Sequence, residues 1–345
     1  MKVDLPLFSR TGALADVPGM ARDAEDNGFD GVVYAETNGD PLLHLTVAAG
    51  VTHRVDLLTN IVVAFARSPM TLAVQGRALQ DYSRGRLLLG LGSQIKPHIE
   101  RRFSMPWSSP AARMTEYVSA MRAIWHSWAT GDKLDFRGDF YTHTLMTPMF
   151  TPVSEHPAPK VFLAAVGPKM TEAAGRVADG ILLHPFTTER YFREVTQPAL
   201  ESGRESEGAP ADPPEVVASC LIVTGNTEEE FEEAKTAVRQ QIAFYGSTPA
   251  YFPVLEQHDL ADLGIELNAL SKSDREDKWT AMGERIDDDT LELFAAVGTP
   301  REAAAVIRAR WGESITRCAL NPVGVASAEL RVEVAKALHE QGGAH

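Results

Sequence analysis

Short apolar runs alternate with longer amphipathic segments almost from the first residue of this chain, and that alternation restricts its fold more than any other feature. "KVDLPLF", "FDGVVYAE", "VDLLTNIVVAF" and "GRLLLGLG" read as strands one to four, and "KVFLAAVG", "GILLHPF", "PEVVASCLIVTG" and "ITRCALNPVG" as strands five to eight. Strands of a parallel sheet are covered on both faces and become near-continuous apolar runs, whereas the crossover helices keep a helical spacing of about 3.6 residues. Helix boundaries are written in the same way: Pro41 and Pro69 fall in first turns, where a missing N–H is harmless, and Gly28 stops the first helix. Eight strand–helix units over 345 residues predict an α/β (β/α)8 TIM barrel, a single domain over 1–345. A doubly wound open sheet is the competing arrangement. Residues 130–160 and 246–290 break the rhythm and read as insertions after strand four and before strand eight, the first holding one hairpin.

Charge and composition exclude several classes. The formal net charge is −14, from 47 acidic and 33 basic residues, a field that repels nucleic acid and anionic lipid. No stretch approaches the ~20 apolar residues of a membrane span, and "MKVDLPLFSR" lacks the apolar core of a signal peptide, so a cytoplasmic protein is expected. The two cysteines, Cys220 and Cys318, sit in apolar strand-like runs and read as core residues. No metal site is expected, because the first strand has no His and no HExxH or CxxC occurs; GxSxG and GxGxxG are absent too.

In such a barrel the ligand site lies at the carboxyl ends of the strands. Glu36 ends strand two, and an acid there pays desolvation unless something requires it, so it is a candidate catalytic group. Asn60 interrupts the β-branched run of strand three, which is unfavourable unless the backbone there is irregular or the amide bonds across the barrel. Strand four ends in Gly90, Leu91, Gly92, Ser93 and Gln94, read as a close turn with hydroxyl and amide donors, followed by Lys96, His98, Arg101 and Arg102. Strand five runs through Val166 and Gly167 into a helix opened by Pro168, whose N-terminus exposes unpaired N–H groups. The two neighbouring turns form a cradle for one phosphate or an extended polar ligand. His184 ends strand six and is a second catalytic candidate; Trp107, Phe140, Tyr141 and Phe186 are candidates for a lid or for packing.

In order along the chain, "GFDGVVYAET", "TNIVVAFARSPMTLAVQ", "GRLLLGLGSQIKPHIERRF", "ADGILLHPF" and "AFYGSTPAY" resemble the bacterial luciferase-like flavin-dependent barrels, and more narrowly their coenzyme F420-dependent oxidoreductase branch. The resemblance implies a homodimeric barrel that holds a flavin-type ring across its strand ends, with a non-proline cis peptide at Asn60–Ile61. It also implies Glu36 by the ring's polar edge, Asn60, Ile61 and Val63 behind the ring, and Ser93, Gln94, His98, Val166, Gly167 and Pro168 on the phosphate and tail. The expected activity is hydride transfer between the deazaflavin C5 and a small organic substrate. Reduced-FMN monooxygenation is the first alternative and a non-catalytic flavin- or metabolite-binding barrel the second. One departure stands out: sugar-phosphate dehydrogenases of that branch carry a His directly after the strand-two acid and a Trp soon after, where this chain has Thr37 and, roughly, Asp40 or Pro41.

Overall fold

A computed structural model describes residues 1–9, 11–325 and 327–340. Eight parallel strands close on themselves: β1 (Lys2–Pro6), β2 (Gly31–Tyr34), β3 (Asp56–Thr59, resumed at Val62–Val63), β4 (Leu87–Gly92), β5 (Lys160–Ala165), β6 (Gly180–Leu183), β7 (Glu215–Val223) and β8 (Arg317–Leu320). They pair in chain order, and β8 returns to β1 through Lys2 with Arg317 and Val3 with Cys318, so the fold is the closed (β/α)8 barrel and not the open sheet.

The helices around it are α1 (Val17–Asp26), α2 (Pro41–Ala49), α3 (Pro69–Tyr82), α4 (Pro110–Thr130), α5 (Pro168–Val177), α6 (Gln197–Arg204), α7 (Glu228–Gly246), α8 (Pro300–Trp311) and α9 (Ala328–Glu340). Several start by the same chemistry. Asp40 caps α2 by accepting from the N–H groups of Leu42 and Leu43, Ser68 caps α3, and Thr299 with Glu302 forms a capping box on α8. No described helix is long and apolar enough to cross a membrane.

Alternate strand residues face opposite sides of the barrel wall. Val32, Leu57 and Ile181 pack outward against the helices, while their neighbours Val33, Leu58 and Leu182 point inward to join Phe162, Val217 and Ala319 in a small interior core. Below it the amino-terminal end is closed by a buried ion cluster. The Arg317 guanidinium donates to Asp4 at 2.9 and 2.6 Å and to Asp56 at 2.7 Å, with the Arg317 and Asp4 side chains 1 % and 0 % exposed.

The insertion after β4 contains the expected hairpin, Phe136–Arg137 against Thr142–His143. The insertion before β8 is helical, with segments Phe252–Glu256, Ala261–Ser271, Lys278–Gly283 and Asp288–Phe294 around a satellite core that includes Phe186, Leu255, Leu267, Met282 and Phe294. A further short strand, Ala295–Val297, then pairs with the end of β7; at three apolar residues directly after a helix it carries no alternation of its own in the sequence.

Candidate functional site

The carboxyl ends of the strands surround a cavity of about 490 Å³. Its floor is the upper layer of the interior core, Val33, Ile61, Ala164, Leu182 and Ala319. One wall is a break in β3. The Asn60–Ile61 peptide is cis, as the resemblance implied; Asn60 and Ile61 line the cavity, and the strand resumes at Val62.

The glycines of β4 serve this break. They lie inside the strand, not in the turn read from the sequence. A Cβ on Gly90 would stand 1.9 Å from the Thr59 carbonyl oxygen, and one on Gly92 would stand 2.6 Å from the Ile61 side chain. Thr59 Oγ1 locks the approach by donating to the Gly90 carbonyl at 2.8 Å and accepting from its N–H at 2.8 Å. The absence of a side chain at Gly90 is therefore a packing requirement of the irregular β3.

Glu36 clasps the same feature from the other side. Its backbone N–H donates to the Ile61 carbonyl at 3.1 Å, and its carboxylate accepts from the Val63 N–H at 2.8 Å and from Arg67 at 3.0 and 2.8 Å. Arg67 also reaches Asp40 at 2.8 Å. The carboxylate is thus engaged behind the wall, off the cavity surface, and Val63 is buried with it.

Ser93, Gln94 and Val166 line the cavity's rim. Gln94 adopts a left-handed φ of 60° and its side-chain oxygen accepts from the Ile95 N–H, which fixes the bend out of β4. Gly167 caps α5 ahead of Pro168, and a Cβ there would meet nothing within 4 Å; neither residue is among those lining the cavity. His98 begins a wide helical turn, His98–Arg102, and is exposed, as are Lys96, Arg101 and Arg102. Arg102 donates to the Thr37 carbonyl at 2.9 Å and lies over the Phe103 ring; Lys96 stands 3.8 Å from Glu100.

The remaining wall is aromatic. His184, at the end of β6, stacks on Tyr251 with ring centroids 4.5 Å apart and meets the edge of Tyr245 at 4.6 Å. Tyr245 closes α7 and Tyr251 follows in the short turn Pro249–Tyr251. Neither tyrosine was assigned a role from the sequence, although both fall in the quoted "AFYGSTPAY"; Asn321, beyond β8, was missed as well. The Asn321 side chain is fixed by accepting from the Val323 N–H at 3.0 Å. The four lid candidates lie elsewhere: Phe186 stacks on Phe294 in the satellite core, Trp107 packs on Phe65, Tyr141 accepts from Arg113, and Phe140 is held through its backbone by Glu116.

No Asp, Glu, Lys or Arg is among the described residues lining the cavity. Its titratable groups are Tyr34, His184, Tyr245 and Tyr251, and burial drives each toward its neutral form. It lowers the His184 imidazole to about 4, raises Tyr245 to about 12, and raises Tyr34 and Tyr251. At neutral pH none of the described residues lining the cavity is charged.

A family model described as luciferase-like monooxygenase matches residues 4–317. An uncharacterised protein of Mycobacterium tuberculosis is 51% identical over 311 residues, covering 90% of each chain. A 5,10-methylenetetrahydromethanopterin reductase of Archaeoglobus fulgidus is 26% identical over 87% of this chain and 88% of its own. Among solved structures, the coenzyme F420-dependent tetrahydromethanopterin reductase of Methanopyrus kandleri superimposes with a TM-score of 0.79 over 99% of both chains at 19% identity.

Proposed function

The chain belongs to the luciferase-like monooxygenase family, and on that premise we propose that it is an oxidoreductase that holds coenzyme F420 and transfers a hydride between the deazaflavin C5 and a small organic substrate. The observation that carries this reading is a cavity of about 490 Å³ with an apolar floor and no charged side chain among its described lining residues. A planar, largely apolar ring suits such a surface, because the apolar floor asks no polar group to lose water. A polar, anionic chain leaving the ring would meet the N-terminus of α5 at Gly167 and Pro168 and the exposed cations Lys96 and Arg101. When bound, the cofactor supplies the redox chemistry; the protein supplies position, exclusion of water and proton management.

In this reading Asn60 and Ile61 back the ring, Ser93, Gln94 and His98 face the phosphate and tail, and Val166, Gly167 and Pro168 complete the phosphate turn. Glu36 holds the bulge. With its carboxylate bonded to Val63 N–H and Arg67, it is a positioning group and not the proton donor. The competing reading is a reduced-FMN monooxygenase, since an apolar cavity with no charge among its described lining residues would also suit that cofactor's oxygen chemistry; a non-catalytic flavin- or metabolite-binding barrel is the third.

Purified protein titrated with oxidised F420 and, in parallel, FMN, with quenching of tryptophan fluorescence as readout, separates them. Micromolar F420 binding with weak FMN binding is the expected result. Tight FMN binding alone moves the assignment to the oxygen-using branch, and binding of neither overturns the cofactor reading.

A further inference from the structure

Hydride transfer to or from an oxygen-bearing carbon needs a proton to move at that oxygen, and none of the described residues on the cavity wall is a carboxylate, lysine or arginine. We propose that Tyr251, held in place by His184, is the group that donates a hydrogen bond and then a proton to the carbonyl oxygen of an uncharged ketone or aldehyde. This rests on reading the site as a hydride-transfer site.

The assignment follows from where the hydrogens must be. The Phe186 N–H donates to His184 Nδ1 at 3.0 Å, so Nδ1 carries no proton and a neutral imidazole has its hydrogen on Nε2. His184 Nε2 is 3.1 Å from the Tyr251 hydroxyl, and with Nε2 as donor that oxygen is the acceptor. The phenol's own hydrogen then has no acceptor among the described residues, while Tyr251 lines the cavity. Stacking on His184 and the edge contact to Tyr245 fix the ring, so the hydroxyl is presented and not rotating. Burial keeps both groups in the protonation states this requires.

The step balances as follows. The carbonyl carbon receives a hydride with its electron pair from the reduced deazaflavin, the C=O π pair moves to oxygen, and that oxygen takes the Tyr251 proton. The substrate is reduced to an alcohol and the cofactor is oxidised. The Tyr251 oxygen, now negative, stays bonded to the His184 Nε2–H and regains a proton from water. A charged group beside the reacting carbon would be buried without a partner, so the acceptor is an uncharged one.

The test uses protein saturated with F420 and [1-13C]cyclohexanone as probe. The expected result is a bound carbonyl resonance lying downfield in the native protein relative to Tyr251→Phe, because only the former offers it a hydrogen bond. With reduced F420, Tyr251→Phe should lose about 100-fold or more of the reduction rate, the range of general-acid contributions. His184→Leu should move the resonance toward the Tyr251→Phe position, and His184→Gln, which keeps an N–H donor, should recover part of the shift; a merely structural His would give no such graded signature. F420 titration of the native protein separates the two failures. If it does not bind F420, the hydride-transfer reading falls. If F420 binds but the native protein shows no downfield resonance, or Tyr251→Phe keeps the shift and the rate, the donor assignment is wrong.

Discussion

The two ends of this barrel solve the same problem in opposite ways. Each must finish a column of inward-facing side chains where the strands stop and water begins. At the amino-terminal end the chain places full charges, with Arg317 donating to Asp4 and Asp56 in a cluster whose side chains satisfy one another. At the carboxyl-terminal end the Glu36–Arg67–Asp40 charges stand behind the wall, no Asp, Glu, Lys or Arg is among the described residues lining the cavity, and the donors and acceptors around His184, Tyr251 and Asn321 leave hydrogen-bonding capacity facing it. A closed end can carry charge because the partner is built in; under the proposed function, the open end keeps charge off the surface that would meet a ring and a neutral substrate and lets the ligand complete the bonding.

The largest effect is expected from breaking the closed end. Arg317→Met leaves Asp4 buried without its cation, which costs about 3–5 kcal/mol in comparable buried pairs. Urea unfolding should show that loss, and adding Asp4→Leu should recover most of it. The pH dependence has a definite sign. Burial raises the Asp4 carboxyl even with Arg317 present, and without Arg317 nothing nearby opposes burial as strongly. A group whose folded value is raised contributes stability below its unfolded value and loses it as pH rises through the folded value, so Arg317→Met should be least destabilised in acid and fall further behind the native protein as pH climbs above the ordinary Asp range.

A smaller loss should follow from pressing on the scaffold of the open end. Gly90→Ala drives a methyl group against the Thr59 carbonyl, a backbone atom that cannot step aside, and overpacking of this kind costs about 1–3 kcal/mol. The melting temperature should drop and F420 binding should weaken with it, since the displaced segment carries Asn60 and Ile61. Gly92→Ala meets the Ile61 side chain and no backbone atom, closest at Cδ1, so stability should change by less than about 1.5 kcal/mol while F420 affinity still falls, because Ile61 lines the cavity. Equal effects of the two substitutions on stability would contradict the distinction between a backbone and a side-chain neighbour.

The barrel was legible because each strand is an apolar run and each crossover an amphipathic one, a signal local to about ten residues. Asn60 marked the irregularity in β3 correctly, since a polar residue in a β-branched run has to be explained by backbone or partner. Glu36 was singled out for the same reason, but what it bonds was not legible: the partner, Arg67, is 31 residues away, and sequence cannot tell an acid facing a ligand from one clasping a bend. Gly90 and Gly92 read as a turn because a glycine that admits a neighbouring backbone looks identical to one that turns a corner. The Asp4–Arg317 pair, separated by 313 residues, and the Tyr251 hydroxyl, delivered by an insertion, exist only once the barrel has closed.

A crystal structure of the F420 complex bears most directly on the contrast between the two ends. The deazaflavin ring should lie with one face on the Asn60–Ile61 segment, its phosphate near Ser93 and Gly167, and the Tyr251 hydroxyl across open space from the opposite face. A ring bound elsewhere, or one reached by a charged side chain within the cavity, would contradict the reading of this end as an uncharged seat completed by its ligand.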